Sequence, residues 1–147
     1  MKKSLLLAGT LLLVGLMYQT SVSAQGKPAR KKQTIEAKAI STPNADVDKL
    51  KRPENEKKPK PEVKSRGDVY GSNYSDIVID NYTGYYMDIY VEGNFRGTVA
   101  PYDKRVTWAI PGNNKLYAKT VFSDGSYLYW GPSYVNTGYS YTWKLTN

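Results

Sequence analysis

From residue 76 to residue 145 no window keeps a helical period. Apolar and polar residues instead alternate in short runs, each closed by a turn signal. Asp76-Ile77-Val78-Ile79-Asp80 is followed by Asn81-Tyr82-Thr83-Gly84. Met87, Ile89 and Val91 then alternate with Tyr86, Asp88 and Tyr90 before a turn at Glu92-Gly93-Asn94. Two further runs, 95–99 and 105–110, are separated by Pro101, and the second places Val106, Trp108 and Ile110 on one face. Pro111-Gly112 leads into 115–122, with Leu116, Ala118, Thr120 and Phe122 in phase, and Asp124-Gly125 is the strongest hairpin signal. Residues 127–130, a Gly131-Pro132 break, the short 133–135 run and the final 139–145 run complete the series. The pattern predicts an all-β fold, a small sandwich of seven or eight short antiparallel strands.

The domain this predicts, residues 67–147, begins where composition changes abruptly. It holds 18 aromatic residues, 13 of them Tyr, and nets −1 from 6 Lys/Arg and 7 Asp/Glu. Residues 25–66 hold no aromatic, 13 Lys/Arg, 6 Asp/Glu and five of the prolines, so the basic charge of the chain belongs to this arm. A segment so poor in apolar surface is expected to be a disordered Lys/Pro-rich linker, dispensable for folding. Residues 1–24 read as a signal peptide: Lys2 and Lys3, an apolar run from Leu5 to Met17, and Ser21-Val22-Ser23-Ala24 as cleavage site. The run is shorter than the roughly 20 apolar residues of a membrane span. The expectation is an exported chain, periplasmic or secreted, of bacterial type, with no membrane span once residues 1–24 are removed.

The chain has no His and no Cys. Imidazole bases, thiolate nucleophiles and their triads are therefore excluded, as are His- or Cys-ligated metals. No phosphate-binding Gly-rich loop occurs, and no cofactor is implied. A carboxylate-dependent hydrolase would have to draw on Asp76, Asp80, Asp88, Glu92, Asp103 and Asp124. Four of these stand at strand ends or turns, where Asp and Glu serve local hydrogen bonds, and no acidic run suits calcium. The reading is therefore non-enzymatic, with no catalytic and no metal residues.

The aromatic residues are the remaining chemistry. Alternation sets Tyr86 and Tyr90 opposite Met87, Ile89 and Val91, Tyr117 opposite Leu116 and Ala118, and Tyr127 and Tyr129 opposite Leu128 and Trp130. With the aliphatic set inside, Tyr86, Tyr90, Tyr117, Tyr127 and Tyr129 become candidate binding residues on the outer surface, since rigid rings with a polar tip suit sugar stacking and protein interfaces. Strand propensity and cross-strand pairing explain the same residues without function. Trp108, Trp130 and Trp143 fall in phase with aliphatic neighbours and are assigned to the core. Nucleic-acid binding is not expected, because stacking rings and positive charge lie on different parts of the chain.

Residues 89–101 and 110–116 (within Ile89 to Leu116) run strand, acidic-Gly turn at Glu92-Gly93, Gly97-Thr98 step to Pro101, then Pro111-Gly112 turn and strand. This order resembles the PEGA-type repeat of bacterial surface and periplasmic proteins. The resemblance implies a small exported β-module without chemistry of its own, and no site residues. Together these readings point to an exported non-catalytic binding module, protein-interacting or envelope-associated, or alternatively to a carbohydrate-binding module using surface tyrosines. Its partner would be a protein or polysaccharide of the cell envelope.

Overall fold

The alternating runs become two four-stranded sheets packed face to face. The structure, a computed structural model, describes residues 30–54 and 73–147; the expected signal peptide and the remainder of the linker lie outside the described residues. In chain order the elements are β1 (Lys31–Lys38), a single helical turn α1 (Ala45–Asp48), β2 (Ser75–Asn81), β3 (Met87–Val91), β4 (Asn94–Val99), β5 (Lys104–Ala109), β6 (Asn113–Val121), β7 (Tyr127–Asn136) and β8 (Tyr139–Thr146). One sheet has the order β1-β8-β2-β5 and the other β4-β3-β6-β7. Among the described residues no helix is long and apolar enough to cross a membrane.

Outside β5 the inner faces are those the alternation assigns. Ile77 and Ile79 of β2 with Trp143 and Leu145 of β8 meet Met87, Ile89 and Val91 of β3, Leu116 and Ala118 of β6, and Trp130 and Val135 of β7. Trp130 donates its indole N–H to the Thr146 carbonyl at 2.6 Å. The all-β sandwich is thus present, with four differences from the sequence reading.

First, the strands are not all antiparallel: β8 runs parallel to both β1 and β2. Antiparallel pairing follows from tight hairpins, whereas β1 and β2 reach β8 by long connections that leave the direction free. Second, residues 30–54 are not a free arm. β1 adds to the β8 edge over eight paired residues, and an edge strand is held by its backbone ladder, which a count of apolar side chains does not register. Only Ala37 is buried, with Ile35 packed beside it.

Third, β5 lies in the opposite phase to the one expected. Thr107 and Ala109 are buried, Val106 and Trp108 are half-buried, and Ile110 is exposed. The interior beside Ile77, Ile79 and Trp143 is already filled by large side chains, so the small pair faces it. Trp108 turns outward under the Arg96 guanidinium, 3.9 Å from its ring centroid, with Tyr74 edge-on at 5.6 Å. Fourth, β7 runs unbroken through Gly131-Pro132. The register slips opposite Tyr117, between Leu116 and Ala118. Gly131 there has φ 113, and a Cβ on it would lie 2.5 Å from the Leu116 carbonyl oxygen, so only glycine fits the bulge.

Candidate binding surfaces

Four of the five predicted tyrosines do share the outer face of the second sheet, but that face is not open. After β1 the chain crosses all four strands of the sheet as a strap. Ile40 pairs with Tyr129 on the β7 edge through both backbone hydrogen bonds, at 2.8 and 3.0 Å. Asn44 caps α1, its side chain accepting from the Asp46 N–H at 2.9 Å. Its own N–H donates to the Tyr127 hydroxyl at 3.1 Å, and its side-chain amide to the Tyr129 hydroxyl at 3.3 Å. Val47 and Leu50 then sink into the rings. Together with Tyr90, Tyr117 and Tyr129 they form a second apolar cluster flanked by Ile40, Phe95 and Tyr127. The strap ends over β3 and β4, where Arg52 pairs with Asp88, donates to the Thr98 hydroxyl and stands 5.7 Å over the Phe95 ring.

The surface placement of Tyr90, Tyr117 and Tyr129 is therefore corrected: they are 2, 4 and 5 % exposed. Tyr127 is half-buried. A strap carrying few apolar residues covers them, because two apolar plugs, Val47 and Leu50, and a string of polar ties hold it to the rings. Of the candidates only Tyr86 stands open, at 66 %.

The electrostatics of the covered face follow from its burial. Burial, with Asp88 adding, pushes the Tyr90 hydroxyl up to about 12. Burial likewise raises Tyr117. At Tyr127 the N–H of Asn44 pulls downward, but the hydrogen bond to Asp48 and burial together leave it raised. Lys119 lies under the strap with its ammonium donating to the Val47 carbonyl at 3.0 Å and 4.6 Å from the Tyr127 ring. Burial lowers its pKa, against Asp48 and Asp88. Lys115 and Asp46 pair at 3.4 Å across the strap's edge.

A second aromatic surface lies at the end of the sandwich where residues 82–86 join β2 to β3 and residues 100–103 join β4 to β5. Tyr82, Tyr85, Tyr86 and Tyr102 are all exposed there, Tyr102 at 77 %. The buried Asn81 side chain ties the two loops together. Its amide donates to the Tyr85 and Ala100 carbonyls at 2.8 and 2.9 Å, and its carbonyl accepts from the Thr83 N–H and hydroxyl at 3.0 and 2.7 Å. All four of its hydrogen-bonding positions are used. The Tyr102 N–H reaches the Thr83 carbonyl at 3.3 Å, and a Cβ on Gly84 would lie 3.5 Å from the Tyr102 hydroxyl. Tyr85 meets the half-buried Phe122 edge-on at 5.5 Å. Tyr102 holds φ 55, a left-handed backbone that bulky residues adopt only when their surroundings impose it. Strand alternation overlooks Tyr82, Tyr85 and Tyr102. The signal that finds them is an aromatic residue inside a turn, where no core can use it.

The carboxylates have partners within the fold. Asp80 pairs with Lys104 at 3.0 Å, Asp76 with Arg30 at 3.4 Å, Asp124 accepts from Ser126 at 2.6 and 2.9 Å, and Glu92 accepts from the Lys115 N–H. Among the described residues no three acidic, His or Cys side chains gather as a metal site. No protein family, curated protein or solved structure matches the chain.

Proposed function

We propose that this chain is an exported, non-catalytic binding module that engages a protein of the cell envelope through the tyrosine-bearing loops at the end of the sandwich. The observation that carries the reading is the rigid display of Tyr82, Tyr85, Tyr86 and Tyr102 on two loops locked by one buried Asn81. Rings held this way lose little entropy on contact and present both apolar faces and hydroxyl tips, the properties that enrich tyrosine at interfaces. A backbone held in the left-handed region beneath the most exposed ring supports a functional reason for it. The resemblance of segments within 89–116 to PEGA-type repeats also supports an exported β-module.

Protein is favoured over sugar because the amide best placed to read hydroxyl groups, that of Asn81, is consumed inside the loops, and Asp103 accepts from the N–H of Lys104 at 2.7 Å. The test is a double variant, Tyr86→Ser with Tyr102→Ser, neither ring being needed by the core. The variant is expected to keep the wild-type melting temperature and to lose capture of the protein that the wild type retains from an envelope fraction. Unchanged capture by the variant overturns the loop-end site. Retention on an envelope polysaccharide that the variant loses replaces protein by carbohydrate as the partner.

A further inference from the structure

The tyrosine face of the second sheet is covered by a strap whose contacts follow one order along its path. Reading across the strands, it supplies one residue that pairs with the β7 edge, Ile40. Acids follow at Asp46 and Asp48, opposite Lys115 and the Tyr127 hydroxyl. Val47 and Leu50 go between the rings, and Arg52 pairs with Asp88. Nothing in these contacts requires that the strap and the sandwich belong to the same molecule. They are joined through residues 55–72, a length that spans up to about 60 Å when extended. A domain of this size has a radius of gyration of only about 13 Å.

We propose that β1 and the strap exchange between two copies of this chain, so that residues 31–52 of each copy dock on the β8 edge and tyrosine groove of the other. Three observations select a second copy as the occupant. The groove's charges, Lys115 on one side and Asp88 on the other, match the strap's Asp46 and its Arg52 in order. Withdrawal of β1 opens the β8 edge, and withdrawal of Ile40 opens the β7 edge, leaving two unpaired backbone edges that template a strand. The strand that completes both in correct register is residue for residue the one a second copy has also withdrawn. Because every contact is identical within and between molecules, the balance is set by concentration alone. A strap tethered through residues 55–72 has an effective concentration in the mM range. The exchanged form is therefore minor at μM concentration, grows toward mM, and is enriched when the protein refolds crowded.

The chain has no cysteine, so cross-linking tests this directly. Ile40 and Tyr129 form a hydrogen-bonded antiparallel pair, with Cα atoms about 5.5 Å apart, inside the roughly 4.4–6.8 Å that a disulfide tolerates. A tagged full-length Ile40→Cys chain and an untagged full-length Tyr129→Cys chain are refolded together over a concentration series and oxidised. A tagged-to-untagged disulfide whose yield rises with concentration supports exchange. Its absence up to mM concentration, while the doubly substituted chain closes within itself, overturns it. A ladder of larger species in place of dimers overturns reciprocal closure. Should either variant fail to fold, the wild-type chain is titrated with a labelled peptide of residues 30–54. Saturable binding that unlabelled peptide displaces supports the proposal, and a flat titration overturns it.

Discussion

At the scale of single residues, the two buried tryptophans of the core differ in one atom's circumstances. Both are fully buried. The indole N–H of Trp130 donates to the Thr146 carbonyl at 2.6 Å, whereas that of Trp143 has no hydrogen-bond partner among the described residues. Changing either to Phe removes comparable volume, but only Trp130→Phe also breaks a hydrogen bond, worth about 1 kcal/mol net. Trp143→Phe removes a buried polar group that is already unsatisfied. Trp130→Phe is therefore expected to be the more destabilising of the two by about 1 kcal/mol, measured by urea unfolding. Equal losses would mean that the Thr146 carbonyl, which also accepts from the Ala39 N–H at 3.1 Å, needs no second donor. Both residues were legible as core from their phase with aliphatic neighbours. Trp108 was not, because alternation yields two faces without saying which turns inward, and at an edge strand the small Thr107 and Ala109 take the inside.

At the scale of elements, β1 and the strap are the part that composition hides. Six of the seven strands from β2 to β8 follow from periodicity and turn residues, since each must bury a face, whereas the Gly131-Pro132 turn signal splits β7 in two. The strap buries only Val47 and Leu50 fully and holds the rest of its path by backbone pairing, a cap and ion pairs, none of which leaves a periodic trace. The tyrosine face was likewise legible as a face, and its cover was not. The stability consequence reverses the expectation that residues 25–66 are dispensable. Leu50→Ala is expected to cost about 2 kcal/mol, the lower end for a buried leucine at a partly open site, and so to lower the melting temperature by roughly 10 °C. A chain beginning at residue 55 should lose more, as it uncovers Tyr90, Tyr117 and Tyr129 and opens the β8 edge as well. Scanning calorimetry of wild type, Leu50→Ala and the shortened chain checks both, and coincident transitions would show that the strap rests on the sandwich without stabilising it.

At the scale of the whole molecule, covering one aromatic face holds back the ionisation of Tyr90, Tyr117 and Tyr127, and alkaline titration reads the delay. Tyr90, pushed up to about 12 chiefly by burial, stays protonated in the folded state after an unfolded chain has ionised near 10; Tyr117 and Tyr127 are raised in the same direction. For a group raised by folding, the native state binds more protons than the unfolded one between the two pKa values. Its stability contribution is therefore complete below pH 10 and is lost as pH rises from 10 through about 12. Lys119 has the opposite sign: burial lowers its pKa below 10.5, so the cost of its buried charge is relieved as pH approaches 10.5, and above that value it contributes no further change. Beyond pH 10.5 the tyrosines act together with Lys104 and Lys115, which their hydrogen bonds to Asp80 and Asp46 hold above the ordinary value. All of these lose stabilisation as pH rises, so stability must fall. Absorbance at 295 nm is expected to show a delayed class, Tyr90, Tyr117 and Tyr127, that ionises above pH 10 and only as the fold opens. Val47→Asp, which places a carboxylate among the rings and loosens the strap, should move the delayed class down toward 10. If wild type and variant instead titrate as one class near pH 10, the tyrosine face is open in solution and the strap does not cover it.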